Sequence, residues 1–336
     1  MSDTSDVRRR NANAIRRLLW AGGCITKQEA ARMLGLSVAT CNTLLNEMAA
    51  SGEVLAEPLR VSTVGRSSQG YRANEDHATV ACVSADIDAV DKRVVQLGLL
   101  SVTGTVLEQR TATMERLQPA DLVQLVADFC EPFGNVAQVV IGVPGIAREG
   151  VVNHCDIAEL DGAELVAAVG ETVGAHVHME NDMHLKAYGY FCEQGDPQNV
   201  VTLVNFPAHV LPGTATVHAG SVIHGAHEFA GMAGFLPFGP DGAILTPDEV
   251  RGLLVPETCR PVVSRSVASI IALLNPHEVV FTGDLLEPGC IDWIRDDCRR
   301  TIPEEFMPRL RYELNFDGYY LGGMYHAALD KMEARL

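Results

Sequence analysis

Asn42, Thr43 and Asn46, with Ser37 before them, are spaced to put short hydrogen-bonding side chains on one side of a helix. An asparagine can pair with an adenine edge, and a serine or threonine can reach a phosphate or either type of base. Val38 and Ala39 share that outward side. The stretch from Ser37 to Ser51 contains no arginine or lysine, so a bidentate guanine contact from this helix is not available. Basic charge comes from Arg8, Arg9, Arg10, Arg16 and Arg17 in front and from Arg60, Arg66 and Arg72 behind. Arg66, between Gly65 and Ser67, is placed to enter a minor groove. This is the chemistry of reading duplex DNA. The plainer alternative is a helical hairpin used for dimerisation.

Two short helices joined by a glycine turn must position these groups. Thr26 and Glu29 have the spacing of a capping box. Ala30, Ala31 and Leu34 fall on one helical face, and Gly35 supplies the turn. Ser37 offers a second N-cap. Cys41, Leu44, Leu45 and Met48 form the inward stripe of the second helix, whose N-terminal half faces outward, as in a helix-turn-helix. Residues 53–72 are expected to form a two-stranded wing with VGRSSQG at its tip.

The 336-residue chain is 47% hydrophobic, enough for two or three domains. Its net charge of −17 is unevenly placed: residues 1–72 hold ten basic and six acidic residues, whereas the remainder is strongly acidic. A basic front on an acidic body suits a DNA-binding head on a body that repels DNA. No apolar stretch reaches transmembrane length and no secretory h-region is present, so a cytoplasmic protein without membrane contact is expected. The nine cysteines show no CxxC pairing and read as reduced core thiols. His176 and His178 share one face of a strand, where a solvated or core-lining pair is favoured over a metal pair.

Behind residue 72 the pattern becomes α/β. ATVACVSADI, RVVQLGLLSV and TVLEQRTATM read as strands, residues 118–133 as an amphipathic helix, and VAQVVIGVPGI as a buried central strand. AHVHMEND is a strand followed by the helix MHLKAYGYF. NVVTLVNF, TATVHAGSVIHG and EVVFTGDLL are further strands, and residues 261–275 and 319–336 are helices. The order points to two α/β lobes with a cleft between them.

Taken with the helix-turn-helix, the segments VVIGVPGIAREGVV, VHMENDMH, HGAHEFAGMAGFLPFG, IIALLNPHEVVFTGDL and LGGMYHAAL resemble the ROK family of repressors and sugar kinases over nearly the whole chain. The resemblance implies an α/β fold with an N-terminal winged helix-turn-helix (1–75) and a two-lobed, actin-like ATPase (ribonuclease H-like) body. Its first lobe spans 76–197, with helix 318–336 returning to it, and its second spans 198–317. Family kinases carry a DxGxT phosphate loop. This chain has Asp86, Ile87, Asp88, Ala89 and Val90 there, and FPAHVLPGTATVHAG replaces the second, glycine-rich phosphate segment. ATP binding and kinase activity are therefore not expected.

Asp182 matches the family's catalytic aspartate, next to Asn181. Met232 and Phe235 replace the glutamate and histidine of the GExGH motif, and GPDGAILTPDEV replaces the cysteine-rich zinc loop. No metal and no cofactor are expected. Asn181, Asp182, Met232 and Phe235 are the candidate ligand contacts, with a wall too apolar for a hexose in the family's usual pose. The resemblance implies a homodimeric or tetrameric transcription repressor on a palindromic operator. It would control carbohydrate metabolism with a non-standard effector or none. A sugar kinase, or a regulator whose body only dimerises or binds protein, is the alternative.

Overall fold

The computed structural model describes residues 4–59, 68–88, 90–239 and 242–336. The chain divides into two compact units. The first comprises Met1–Ile141, Leu165–His178 and Ala327–Leu336, and the second Gly142–Glu164 and Met179–His326.

The first unit begins with α1 (Thr4–Trp20), β1 (Ile25–Thr26), α2 (Lys27–Leu34), α3 (Val38–Ala50), β2 (Val54–Leu59) and β3 (Ser68–Ala73). The strands form a sheet in the order β1-β3-β2, so the expected two-stranded wing gains a short third strand, with Ile25 opposite Tyr71. Helix α1 is amphipathic and buries Ile15, Leu19 and Trp20. Its polar side is tied down as well: Arg16 Nε meets Glu53 Oε1 at 2.5 Å, and Arg17 Nε meets Glu333 Oε1 at 2.5 Å.

Next come β4 (Thr79–Ile87), β5 (Arg93–Ser101), β6 (Val106–Met114), α4 (Pro119–Cys130), β7 (Val136–Val143), β8 (Ile146–Arg148), β9 (Val151–Asn153), α5 (Leu165–Val173) and β10 (His176–Asn181). Five of these strands form a sheet in the order β10-β7-β4-β5-β6. Strand β4 is buried along seven consecutive residues, as a strand covered on both faces must be. Strand β6 lies at the edge, mostly exposed, and carries Glu108 and Arg110, charges that discourage further strand pairing. Strands β8 and β9 form a separate hairpin.

The remaining elements are α6 (Asp182–Gln194), β11 (Val200–Asn205), β12 (Gly213–His218), β13 (Ser221–Val222), α7 (Pro247–Leu253), α8 (Arg260–Leu274), β14 (Glu278–Thr282), α9 (Cys290–Cys298), β15 (Arg309–Tyr312) and α10 (Asp317–Arg335). Their sheet runs β13-β12-β11-β14-β15, with β11, β14 and β15 parallel. Side-chain alternation divides its residues between two cores. Val204, Val279 and Phe281 join Val263, Val267 and Ile294 of α8 and α9, while Val201, Leu203, Ala215, Val217 and Val280 join Ala187, Tyr190 and Phe191 of α6. Helix α6 is thus held by its packed side, and its first turn sits at the end of β10.

Candidate functional site

The helix-turn-helix forms from local signals. Thr26 Oγ1 accepts from Glu29 N at 3.2 Å and Glu29 Oε2 accepts from Thr26 N at 2.8 Å, closing the capping box. The bonds that the Thr26 backbone N–H and the Thr26 hydroxyl donate to Glu29 Oε2 hold the Glu29 carboxyl below its ordinary range. Gly35 takes the left-handed conformation at φ 65°, and its N–H reaches Ala31 O. Ser37 Oγ accepts from Thr40 N at 3.0 Å and caps α3. Cys41, Leu44, Leu45 and Met48 are buried, while Ser37, Val38, Ala39, Asn42, Thr43 and Asn46 are exposed.

Neighbours constrain that exposed face. Lys27 Nζ, from the first turn of α2, reaches Asn42 Oδ1 at 2.6 Å and Asn46 Oδ1 at 3.0 Å. Asn46 Nδ2 lies 3.4 Å from Asn42 Oδ1, and the Tyr71 hydroxyl lies 3.3 Å from Asn46 Oδ1. The Thr43 hydroxyl turns back to Ala39 O at 3.2 Å. Lys27 therefore brings a cation to a helix that carries none of its own. The sequence reading missed it because the residue belongs to the preceding helix.

Two of the N-terminal arginines have acidic partners inside the first unit, Arg16 with Glu53 and Arg17 with Glu333 and Asp330. Arg8 grips Glu47 of α3. The reason is charge: the acidic groups of the fold capture the guanidinium groups they meet. Arg60 and Arg66 lie outside the described residues.

In the second unit, the Glu180–Asn181–Asp182 segment joins β10 to α6. Asn181 is the N-cap of α6: its Oδ1 accepts from Met183 N at 2.9 Å and His184 N at 3.2 Å, while its Nδ2 donates to Gly145 O at 2.9 Å. Asp182 is 8% exposed, and its Oδ2 is held by Lys186 Nζ at 2.7 Å, one helical turn on. The ammonium occupies one lone pair of one of the two carboxylate oxygens. Half-buried Met232 precedes a short 3-10 turn over Ala233–Phe235. Phe235 is 46% exposed and packs on Phe229 at 5.3 Å between ring centroids, so its ring faces the surface.

Four further residues gather here that the sequence reading did not bring together: Glu180, His184, His224 and Glu228. Glu180 Oε1 lies 2.9 Å from His184 Nδ1, and its Oε2 lies 2.9 Å from His224 Nε2. Burial pushes the Glu180 pKa up, but the bonds from the two histidines outweigh it and hold the carboxyl well below its usual range. The Glu180–His184 spacing of four was visible in the sequence. His224 lies 44 positions beyond Glu180 and gave no local sign.

The segment corresponding to DxGxT is a tight β4–β5 turn in the first unit. Asp88 Oδ1 accepts from Val90 N and Lys92 N, each at 2.9 Å, so the turn's own amides occupy it. Where a cysteine-rich zinc loop would lie, Thr246 and Glu249 form a capping box that starts α7, with Pro247 at its first position. With Phe235 at the histidine position and no cysteine in residues 239–250, these residues do not fit that zinc.

The family model of the ROK family matches residues 93–246. Among solved structures, a ROK family transcriptional regulator, homolog of the E. coli MLC protein, matches with a TM-score of 0.74 at 14% identity, covering 98% of each chain. The ROK hexokinase of Thermus thermophilus matches with a TM-score of 0.60 at 16% identity, over 76% of this chain and 99% of its own. A ROK family glucokinase from Streptomyces griseus, solved with glucose and AMPPNP, gives 0.56 at 16% identity, over 75% of this chain and 100% of its own. No curated protein matches the sequence. At these identities the likeness is one of fold, and the fold is the α/β one expected: a winged helix-turn-helix followed by an actin-like, ribonuclease H-like body. Residues 93–246 carry the match to the ROK family model.

Proposed function

We propose that this protein is a homodimeric DNA-binding transcription regulator, acting as a repressor, whose α3 helix enters the major groove. One observation carries the reading: Asn42, Asn46 and Lys27 form an exposed polar cluster on a helix-turn-helix with both helices capped. Two such heads in a dimer would meet half-sites about 34 Å apart on a palindromic operator. One feature weighs against sugar phosphorylation: the self-satisfied turn at Asp88. Any effector would be less polar than a free hexose, because Met232 and Phe235 stand where polar partners would bind one. Genes of carbohydrate metabolism are the first place to seek the operator.

The test is fluorescence anisotropy with DNA fragments from upstream regions, repeated over a salt series. One preferred fragment is expected, with affinity falling steeply as salt rises. Asn42→Ala and Asn46→Ala should each remove the preference and keep weak non-specific binding. Equal affinity for all fragments at every salt concentration would refute the reading. The kinase fold of the body motivates a second assay: hexose-dependent ADP release that disappears in Asp182→Ala would establish phosphoryl transfer instead.

A further inference from the structure

We infer that Glu180, His184, His224 and Glu228 form a binding site for a divalent d-block cation. The residues come from three segments: the end of β10, the first turn of α6, and the loop after β13. Their candidate ligand atoms all lie within 4.8 Å of one another. Metal–nitrogen and metal–oxygen bonds of about 2.1 Å place neighbouring ligands about 3.0–3.4 Å apart. The Glu180 contacts, at 2.9 Å, are already near that separation, and small side-chain rotations close the rest.

Orientation supports convergence. The two imidazoles stand edge to face, 4.8 Å between centroids with an interplanar angle of 86°, so their in-plane nitrogens address the same carboxylate from different directions. The Ala230 carbonyl lies 3.5 Å from His184 Nε2, on the side that leaves Nδ1 as the ligand atom. His184 is 2% exposed at its side chain and Glu180 13%, whereas His224 is 36% exposed. The site is therefore anchored on one side and open on the other, where an ion can enter and keep a water. Glu228 holds a left-handed backbone at φ 58°, which an L side chain rarely adopts, and from there its carboxylate joins the group.

The donor set defines the ion. Two carboxylates balance a divalent charge, and two imidazoles favour zinc, manganese, iron or cobalt over calcium or magnesium. No thiolate takes part, which sets this site apart from one built on a cysteine loop.

The test uses the full chain, stripped with chelator and then dialysed against cobalt(II) alone. About one equivalent should remain, with visible ligand-field absorption and no thiolate-to-cobalt charge-transfer band. His224→Ala and Glu228→Gln, both at the open side, should weaken cobalt binding at least about tenfold, Glu228→Gln while melting as the parent does without metal and His224→Ala while keeping the parent's circular dichroism. His184→Gln tests the buried ligand, with circular dichroism to confirm its fold. Failure to retain cobalt, a thiolate band, or undiminished binding in His224→Ala would each overturn the assignment.

Discussion

Helix α6, which carries the Asn181–His184 segment, crosses α10 at Gly189. A Cβ on Gly189 would fall 1.8 Å from Tyr319 O, where ordinary contact begins at 3.4 Å. The obstacle is backbone, so no rotamer change relieves it, and the helices must separate locally by about 1.5 Å. The contact lies within the Tyr190–Phe316–Tyr319 cluster, whose ring centroids are 5.2–6.0 Å apart, and separation loosens that packing. Overpacking of this kind costs about 1–3 kcal/mol. Up to about 1 kcal/mol is returned because alanine favours a helix over glycine. Gly189→Ala should therefore destabilise the protein by roughly 1–2 kcal/mol, a fall in Tm of about 2–8 °C for a unit of this size. Gly252 in α7 has open space around its Cβ position, so Gly252→Ala should be neutral or stabilise by less than about 1 kcal/mol. Calorimetry of both variants checks the sign as well as the size. A Gly189→Ala protein melting at or above the parent would refute the close crossing of α6 and α10.

Asn181→Ala removes the α6 cap and a bond to Gly145 O and should cost about 1–2 kcal/mol in urea denaturation, with Asn181→Asp recovering part of it. Glu180 has a folded pKa below its unfolded value near about 4.3, so the unfolded chain takes up the proton first as pH falls. Its contribution is present above that value and lost as pH drops below it. Glu180→Gln should flatten stability against pH between about 5 and 3, and an unchanged slope would contradict the Glu180–histidine geometry. If α3 enters a groove, Lys27→Met should lower the salt slope of DNA binding by about one, whereas Arg17→Met, already paired with Glu333, should leave it nearly unchanged.

The helix-turn-helix was legible because its determinants are local: two caps, one glycine and an apolar stripe, all within 26 residues. The long strands β4, β5 and β7 were equally plain from their apolar runs. Strand β15 was not, since Arg309–Tyr312 has no pattern of its own and is a strand only by pairing with β14. The short helices α7 and α9 also escaped the reading, seven and nine residues being too few to establish a period. In the site, Asp182 was visible but its partner was not sought, although Lys186 stands at the i+4 spacing that helix surfaces favour. The convergence of His224 on Glu180 depends on the path of the loop after β13 and could not be read from neighbours in the chain.

If α3 enters a groove, the Lys27 contacts bear on what it can recognise. The Asn42 carbonyl oxygen faces Lys27 and the Asn46 amide, and the Asn46 carbonyl oxygen faces Lys27, while the single Tyr71 hydroxyl proton lies nearer Gln69 Oε1, at 3.0 Å, than Asn46 Oδ1, at 3.3 Å. A free asparagine complements adenine because it both gives and receives, and Lys27 competes for the receiving side of both. The cluster instead complements surfaces that only receive hydrogen bonds, such as the O6 and N7 of guanine or phosphate oxygens. A helix with no arginine thereby acquires the polarity of an arginine-bearing one, assembled from two asparagines and a borrowed lysine.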